Sequence, residues 1–427
     1  MGSALRTTSA VSDGAVKPPS LRQALRFWLK LGCISFGGPA GQIAIMHDEL
    51  VEKRGWVSER RFLHALSFCF ALPGPEAQQL ATFVGWRLHG VRGAIAAGGL
   101  FVLPSFVLIS ALAFVYVEYG TVAAVEGIVR GLSAAVVGLV VAAVLRVGGR
   151  VVRTPFSAAV AVAAFASLML GVPFPVIVLA AGLAGILLER SVPGSFRGLG
   201  HGADPGVGDE DRIPSGRAWR RGAAILMAWL VPVGALLLAG GVIADLAGFF
   251  SLTALITFGG AYAVLPFVAD QAVHHFGWLT TNDMIAGLAL GETTPGPLVM
   301  VNTFVGFMPG WTTHGSYSWA MFGATVATFC TFAPSFVFIL IGAPLIDRVP
   351  STGRVASALA GVSVAVVGVI AGLAVFVGRH VLVVDGDVDW LAVVLAVGAF
   401  VATWRLRVNV VVVVAACGLA GLLASFT

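Results

Sequence analysis

Three short motifs occur twice in this chain, in the same order and at one offset. Phe36-Gly37-Gly38 returns as Phe258-Gly259-Gly260, Gly55-Trp56 as Gly277-Trp278, and Pro73-Gly74-Pro75 as Pro295-Gly296-Pro297, each 222 residues further on. Asp48 and Asp270 share that offset. The register then shifts slightly: Thr82-Phe83-Val84-Gly85 matches Thr303-Phe304-Val305-Gly306, and Pro104-Ser105-Phe106 matches Pro334-Ser335-Phe336. Chance matches between glycine-rich apolar runs are common, but ordered motifs at one offset are not. The sequence therefore reads as a duplication, and its fold must be one that can be built twice.

Composition says in which solvent. Of the 427 residues, 58% are hydrophobic and only 11% charged, with a mean hydropathy of +0.94. A soluble chain carries roughly 25% charged residues. A soluble enzyme and a disordered chain are both excluded, which leaves an all-α polytopic membrane protein. Apolar runs near 93–119, 121–147, 155–171 and 173–190 read as full crossings, matched by 316–346, 352–379, 389–404 and 408–426. With 222–243 added, the expected total is about 9–10 spans, at about 20 apolar residues per crossing. Residues 1–20 form a polar tail with no apolar leader, so the first span is expected to act as the insertion signal. Cys33, Cys69, Cys330 and Cys417 lie apart in apolar runs, a spacing that implies neither a disulfide framework nor a zinc site. His274-His275 lacks ligand spacing, and no metal is implied.

Charge gives the expected orientation. Most of the 26 Lys and Arg fall in residues 1–221, leaving that part net positive and the remainder net negative. The loop from Asp48 to Arg61 holds Lys53, Arg54, Arg60 and Arg61, whereas its counterpart from Asp270 to Asp283 holds no Lys or Arg. By the positive-inside rule the first loop belongs in the cytoplasm and the second outside. The first repeat then spans 21–190, a Gly/Pro/Asp/Arg-rich cytoplasmic linker follows at 191–221, and an unpaired span at 222–243 reverses the second repeat, 248–427. The N-terminus is expected in the cytoplasm. The arginines flank apolar segments and form no aromatic-basic patch, so no nucleic-acid partner is implied.

The segments 21–54 and 61–90 carry basic residues at both ends and are broken at the centre, by Gly37-Gly38-Pro39 and by Pro73-Gly74-Pro75. They read as re-entrant hairpins of half-length helices, mirrored at 248–276 and 281–311; the other reading is an ordinary kinked span. Irregular backbone at membrane depth is tolerated only when buried in protein or lining a cavity. A half-helix starting at mid-membrane points free N–H groups and its positive dipole end inward. Pro39, Pro75 and Pro297 sit where a first-turn proline costs no hydrogen bond. Four such N-termini would make an anion site without a full positive charge.

Polar side chains cluster at the same places: Ser35, Gln42, Gln78 and Gln79 in the first half, and Thr257, Tyr262, Thr293, Thr294 and Asn302 in the second. Each can donate to an anion's oxygens or make an ordinary interhelical hydrogen bond. Glu76 and Glu292 lie beside the breaks, where an intramembrane carboxylate is a proton-coupling candidate by default. Glu76 can equally serve as a helix cap. Arg87 and Arg130 are the bases expected to face inward and neutralise charge, with snorkelling to the interface as the alternative for Arg87.

Phe36-Gly37-Gly38-Pro39 with Gly41-Gln42, the stretch from Asp48-Glu49 to Gly55-Trp56, and Pro73-Gly74-Pro75 with Gln78 closely resemble the chromate ion transporter family. The second-half motifs resemble that family's second domain, and the likeness covers nearly all of residues 21–427, as in its long two-domain members. The resemblance implies an inner-membrane carrier that exports chromate and so confers resistance, with protons or sulfate as counter-substrate. After Pro297 the second half departs from the first, Leu298-Val299-Met300 standing for Glu76-Ala77-Gln78, so two equivalent half-sites are not expected. Chromate and sulfate are similar tetrahedral dianions, and a sulfate or other oxyanion carrier is the alternative. A membrane-bound reductase would need a redox centre, and the sequence offers no haem motif, cysteine cluster or dinucleotide fingerprint; no cofactor is implied. The assembly state stays open, a homodimer included.

Overall fold

A computed structural model describes residues 19–36, 38–191, 215–258, 260–343 and 354–426. The polar tail and the central part of the linker lie almost wholly outside the described residues, as do Gly37 and Gly259. The described chain is helical throughout, apart from a two-residue β-hairpin pairing Val383–Val384 with Asp387–Val388.

The first half runs α1 (Leu21–Ile34), α2 (Gly38–His47), α3 (Glu59–Ala71), α4 (Glu76–Tyr119), α5 (Ala123–Val151), α6 (Pro155–Met169) and α7 (Phe174–Ser191). After α8 (Ser215–Ala239), the second half runs α9 (Gly241–Ile256), α10 (Ala261–Asp270), α11 (Thr281–Thr293), α12 (Val301–His314), α13 (Tyr317–Gly342), α14 (Arg354–Leu382), α15 (Trp390–Trp404) and α16 (Val410–Ala424). α8 begins inside the segment read as linker and stops at Ala239, short of 243, where Gly240 and Gly241 take positive φ and break the helix. Among the described residues, six helices are long and apolar enough to cross a membrane: α4, α5, α7, the 222–239 part of α8, α13 and α14. α6, α15 and α16, also read as crossings, have 15 residues each. The protein is an all-α polytopic membrane protein.

α4 is one element only by hydrogen bonding. His89 and Gly90 leave helical geometry, at φ −141°, ψ 24° and φ 61°, ψ −150°, and the chain reverses there. Gly85 then packs on Gly93 and Ala97, and Thr82 on Gly98, so closely that a Cβ on either glycine face would collide. In the second half the same turn falls at Gly315, between α12 and α13, and Gly306 packs on Gly323. Glycine lets two antiparallel helices touch backbone to backbone, a common membrane packing device. α1 and α3, at 14 and 13 residues, reach about 20 Å at a ~1.5 Å rise per residue, short of a ~30 Å hydrocarbon core.

The duplication extends to local geometry. Trp56 N–H donates to Leu50 and Trp278 N–H to Ala272, both at 2.8 Å. Gly55 and Gly277 have φ 59° and 60°. A π-helical turn ends α2 at Asp48–Lys53 and α10 at Gln271–His275. Phe27 meets Trp56 edge-on at 5.2 Å between ring centroids, and Phe249 meets Trp278 edge-on at 5.7 Å. The first loop adds charge to this frame. Lys53 pairs with Asp48 and Glu49, which holds the Glu49 carboxyl below its ordinary range, and Arg54 lies over both Phe27 and Trp56.

Candidate functional site

Breaking a helix in a membrane protein frees backbone groups that must find partners. Here the breaks pair with each other. Gly296 N–H donates to Ser35 C=O at 2.7 Å, and Gly74 N–H donates to Thr257 C=O at 2.8 Å. The second break of each half is thus bonded to the first break of the other. Gly74 and Gly296 have φ 119° and 104°, which L side chains rarely adopt, and a Cβ on either would run into Ser335 or Ser105 respectively. Side chains satisfy the remaining carbonyls. The Ser105 hydroxyl donates to Pro295 C=O, Gln42 Nε2 to Gly296 C=O, and Gln79 Nε2 to Pro73 C=O at 2.7 Å.

The polar residues expected as free donors are largely committed to the protein. Ser35 donates to Leu31 C=O, Thr257 to Thr253, Thr293 to Leu290 and Thr294 to Gly291. Gln78 donates to Thr82 and Asn302 to Thr331. For a hydroxyl on a helix, the carbonyl three or four residues back is the nearest acceptor. What stays unpartnered are buried oxygens, on Gln42, Gln78, Gln79, Asn302 and Glu76. The prolines are also displaced. Pro39 is the second residue of α2, but Pro75 caps α4 and Pro297 precedes the short 3-10 turn Leu298–Met300, each one step before the first turn. Phe36 and Phe258 are half-buried.

Both acids converge on the first break of the second half. Glu76, the first residue of α4, is 4% exposed. Its Oε1 lies 3.1 Å from where a Cβ on Gly260 would stand, and its Oε2 has no partner. Glu292, near the end of α11, accepts the Tyr262 hydroxyl at 2.8 Å. The Tyr262 ring in turn lies 3.8 Å from the Cβ position of Gly38. Gly38, Glu76, Gly260, Tyr262 and Glu292 therefore form one cluster contributed by both halves. Gly38, Glu76, Gly260 and Tyr262 lie at helix N-termini, where the backbone offers partial positive charge, whereas Glu292 lies at the C-terminal end of α11.

Arg130 does not face inward. Its guanidinium is mostly exposed and is bound to Asp389, the N-cap of α15, at 2.6 and 2.8 Å. Arg87 is exposed as well. Arg146 is near enough for its charge to act on Glu292 and Tyr262, with no direct ion pair to Glu292 among the described residues. Arg146 and Arg150 both lie within α5, which continues to Val151. The spacing of Arg146 and Arg150, four residues apart on one helix face, is the signal that could have found them.

The family model described as "Chromate transporter" matches residues 22–186 and 244–422. A chromate transport protein of Pseudomonas aeruginosa is 32% identical, over 97% of this chain and 95% of that protein. A probable chromate transport protein of Synechococcus elongatus is 29% identical over 91% of both chains. A chromate transport protein of Cupriavidus metallidurans is 26% identical over 98% and 96%. No solved structure matches the chain significantly.

Proposed function

The chain belongs to the chromate transporter family, and on that premise we propose that it is a secondary carrier that exports chromate across the inner membrane and so confers chromate resistance. The single observation that carries this reading is the crossed pairing of the four helix breaks, Gly296 to Ser35 and Gly74 to Thr257. Irregular backbone held at the centre of an apolar bundle is how carriers present backbone dipoles to a substrate. A tetrahedral dianion approaching the α2, α4 and α10 N-termini would exchange hydration for those dipoles.

The halves are taken as inverted repeats, with the N-terminus in the cytoplasm. The directions of α5 and α15 support this. Arg130 near the start of α5 is bound to Asp389 at the start of α15, and Arg146 near the end of α5 shares a cavity with Thr403 near the end of α15. α5 and α15 thus run parallel, although α15 corresponds in order to α6, which follows α5 through a short turn. A half inverted relative to the other produces that relation.

Energy would come from a proton or counter-anion gradient, and Glu76 and Glu292 are the residues proposed to couple protons. An ionised Glu76 would repel a dianion beside Gly260, and a proton would remove the repulsion, linking the two occupancies. The test is chromate flux into proteoliposomes containing the purified protein, under imposed pH and sulfate gradients. Accumulation driven by one of them, with sulfate competing, is expected. No chromate flux above protein-free vesicles under either gradient would overturn the carrier.

A further inference from the structure

Apart from the paired breaks, the described residues line a half-open cavity of about 630 Å³ at the C-terminal ends of α5 and α15. Phe36, which belongs to the first break, lines it, together with Arg146, Arg150, Thr403, Arg407 and Val408. Three guanidinium groups from two distant stretches of sequence therefore share one concavity. None of the three forms an ion pair among the described residues, whereas Arg54 and Arg130 each do. Like charges gathered in a cavity that no carboxylate lines repel each other, and an anion in their midst relieves that.

Two further observations point to a ligand. The Thr403 hydroxyl is buried, with the residue 6% exposed, and has no hydrogen-bond partner, yet Thr403 lines the cavity. A buried hydroxyl without a partner is costly unless something else supplies one. Arg407, in the turn between α15 and α16, holds φ 54°, a left-handed conformation that glycine or asparagine would accept at lower cost. Arginine at that position trades backbone comfort for a charge at the cavity.

We propose that this cavity is an oxyanion-binding vestibule, in which Arg150 and Arg407 capture a tetrahedral dianion and Arg146 passes it toward the Tyr262–Glu292 cluster at the breaks. The proposal rests on the carrier reading for its substrate. Its physical content, a site for sulfate-like dianions at this place, stands apart from transport. Bidentate guanidinium groups suit tetrahedral oxyanions, and a concavity of one charge sign raises the local anion concentration.

Val408→Cys in the full-length protein, on a Cys33→Ser background, places a thiol in the cavity; the other three cysteines are buried. An anionic thiosulfonate should label it faster than a cationic one by on the order of tenfold, the low end of electrostatic steering. Sulfate, which is redox-inert toward the thiol, should slow that labelling. Arg150→Gln together with Arg407→Gln should abolish both the charge preference and the protection. The same pair should raise half-saturating chromate in proteoliposomes about tenfold, with the salt dependence flattened. Arg407→Gly separates charge from structure: it should melt no lower than the parent, because φ 54° suits glycine, and still lose protection. Sulfate protection in a parent that does not transport chromate would overturn the chromate assignment and leave the vestibule standing. Chromate transport by the parent, with Val408→Cys labelling indifferent to reagent charge and to sulfate, would overturn the vestibule alone.

Discussion

The two Pro-Gly-Pro breaks share a backbone and differ in chemistry. Gly74 and Gly296 have nearly the same φ, and each donates its N–H to the first break of the other half. Each is also roofed by a serine that follows a helical proline, Ser335 over Gly74 and Ser105 over Gly296. Yet Glu76 follows the first break and Leu298 the second, while Glu292 precedes the second and Phe70 stands at the matching position before the first. Duplication has kept the geometry that satisfies the broken backbone, since any loss there leaves buried polar groups unpaired. Side chains beside the breaks carry no such constraint, and the two acids have come to lie against one place, Gly260 and Tyr262. A shared scaffold with one-sided chemistry is what a carrier needs if substrate and coupling ion are to meet at a single point.

The widest separation proposed between the halves is topological. With inverted halves, a cysteine at Thr281 should react with an impermeant maleimide on intact cells, and one at Ser58 only after permeabilisation. Equal accessibility would break the comparison at its root. Next come the glycines. Gly260→Val forces a side chain onto Glu76 at a φ of 99°, whereas Gly38 has φ 72° but only a ring carbon of Tyr262 at 3.8 Å. Strain and crowding together should cost Gly260→Val about 3 kcal/mol, against about 1–2 kcal/mol from strain alone for Gly38→Val. Transport should be abolished in the first and weakened in the second, read by flux beside thermal melting. Equal losses would mean that the two breaks are chemically interchangeable.

Glu76→Gln tests the asymmetry of the acids directly. It should keep the fold, because a first-turn position in α4 tolerates an amide at a cost of about 1 kcal/mol or less. Chromate flux should lose its dependence on pH between 5.5 and 8 and its response to a pH gradient. A helix cap alone would leave that profile intact and direct attention to Glu292. The smallest effect belongs to Arg130→Gln. Its guanidinium is largely in solvent and Asp389, though buried, keeps its bond to Ala392 N–H, so removal should cost about 1 kcal/mol. Flux and half-saturation should match the parent, in contrast to the cavity arginines on the same helix.

The repeated motifs, the place of each break and most helix boundaries are legible in the sequence alone, because these are local properties. Phe-Gly-Gly and Pro-Gly-Pro interrupt a helix wherever they fall, and apolar runs of crossing length have few other options in a chain this poor in charge. The sequence also placed Glu76 and Glu292 beside the breaks, since sequence neighbours stay spatial neighbours. The tertiary structure decided what crosses between segments. Gly74 meets Thr257 and Gly296 meets Ser35 across large sequence separations, and only packing selects those pairs. The hydroxyls of Ser35 and Thr294 read as site donors until their own helices claimed them. Arg130 and Arg146 lie on the same helix with the same charge, and nothing local separates them. One meets Asp389 at the surface; the other shares a cavity with Arg407, more than half the chain away, because the face of α5 that each occupies is set by the helices packed against it.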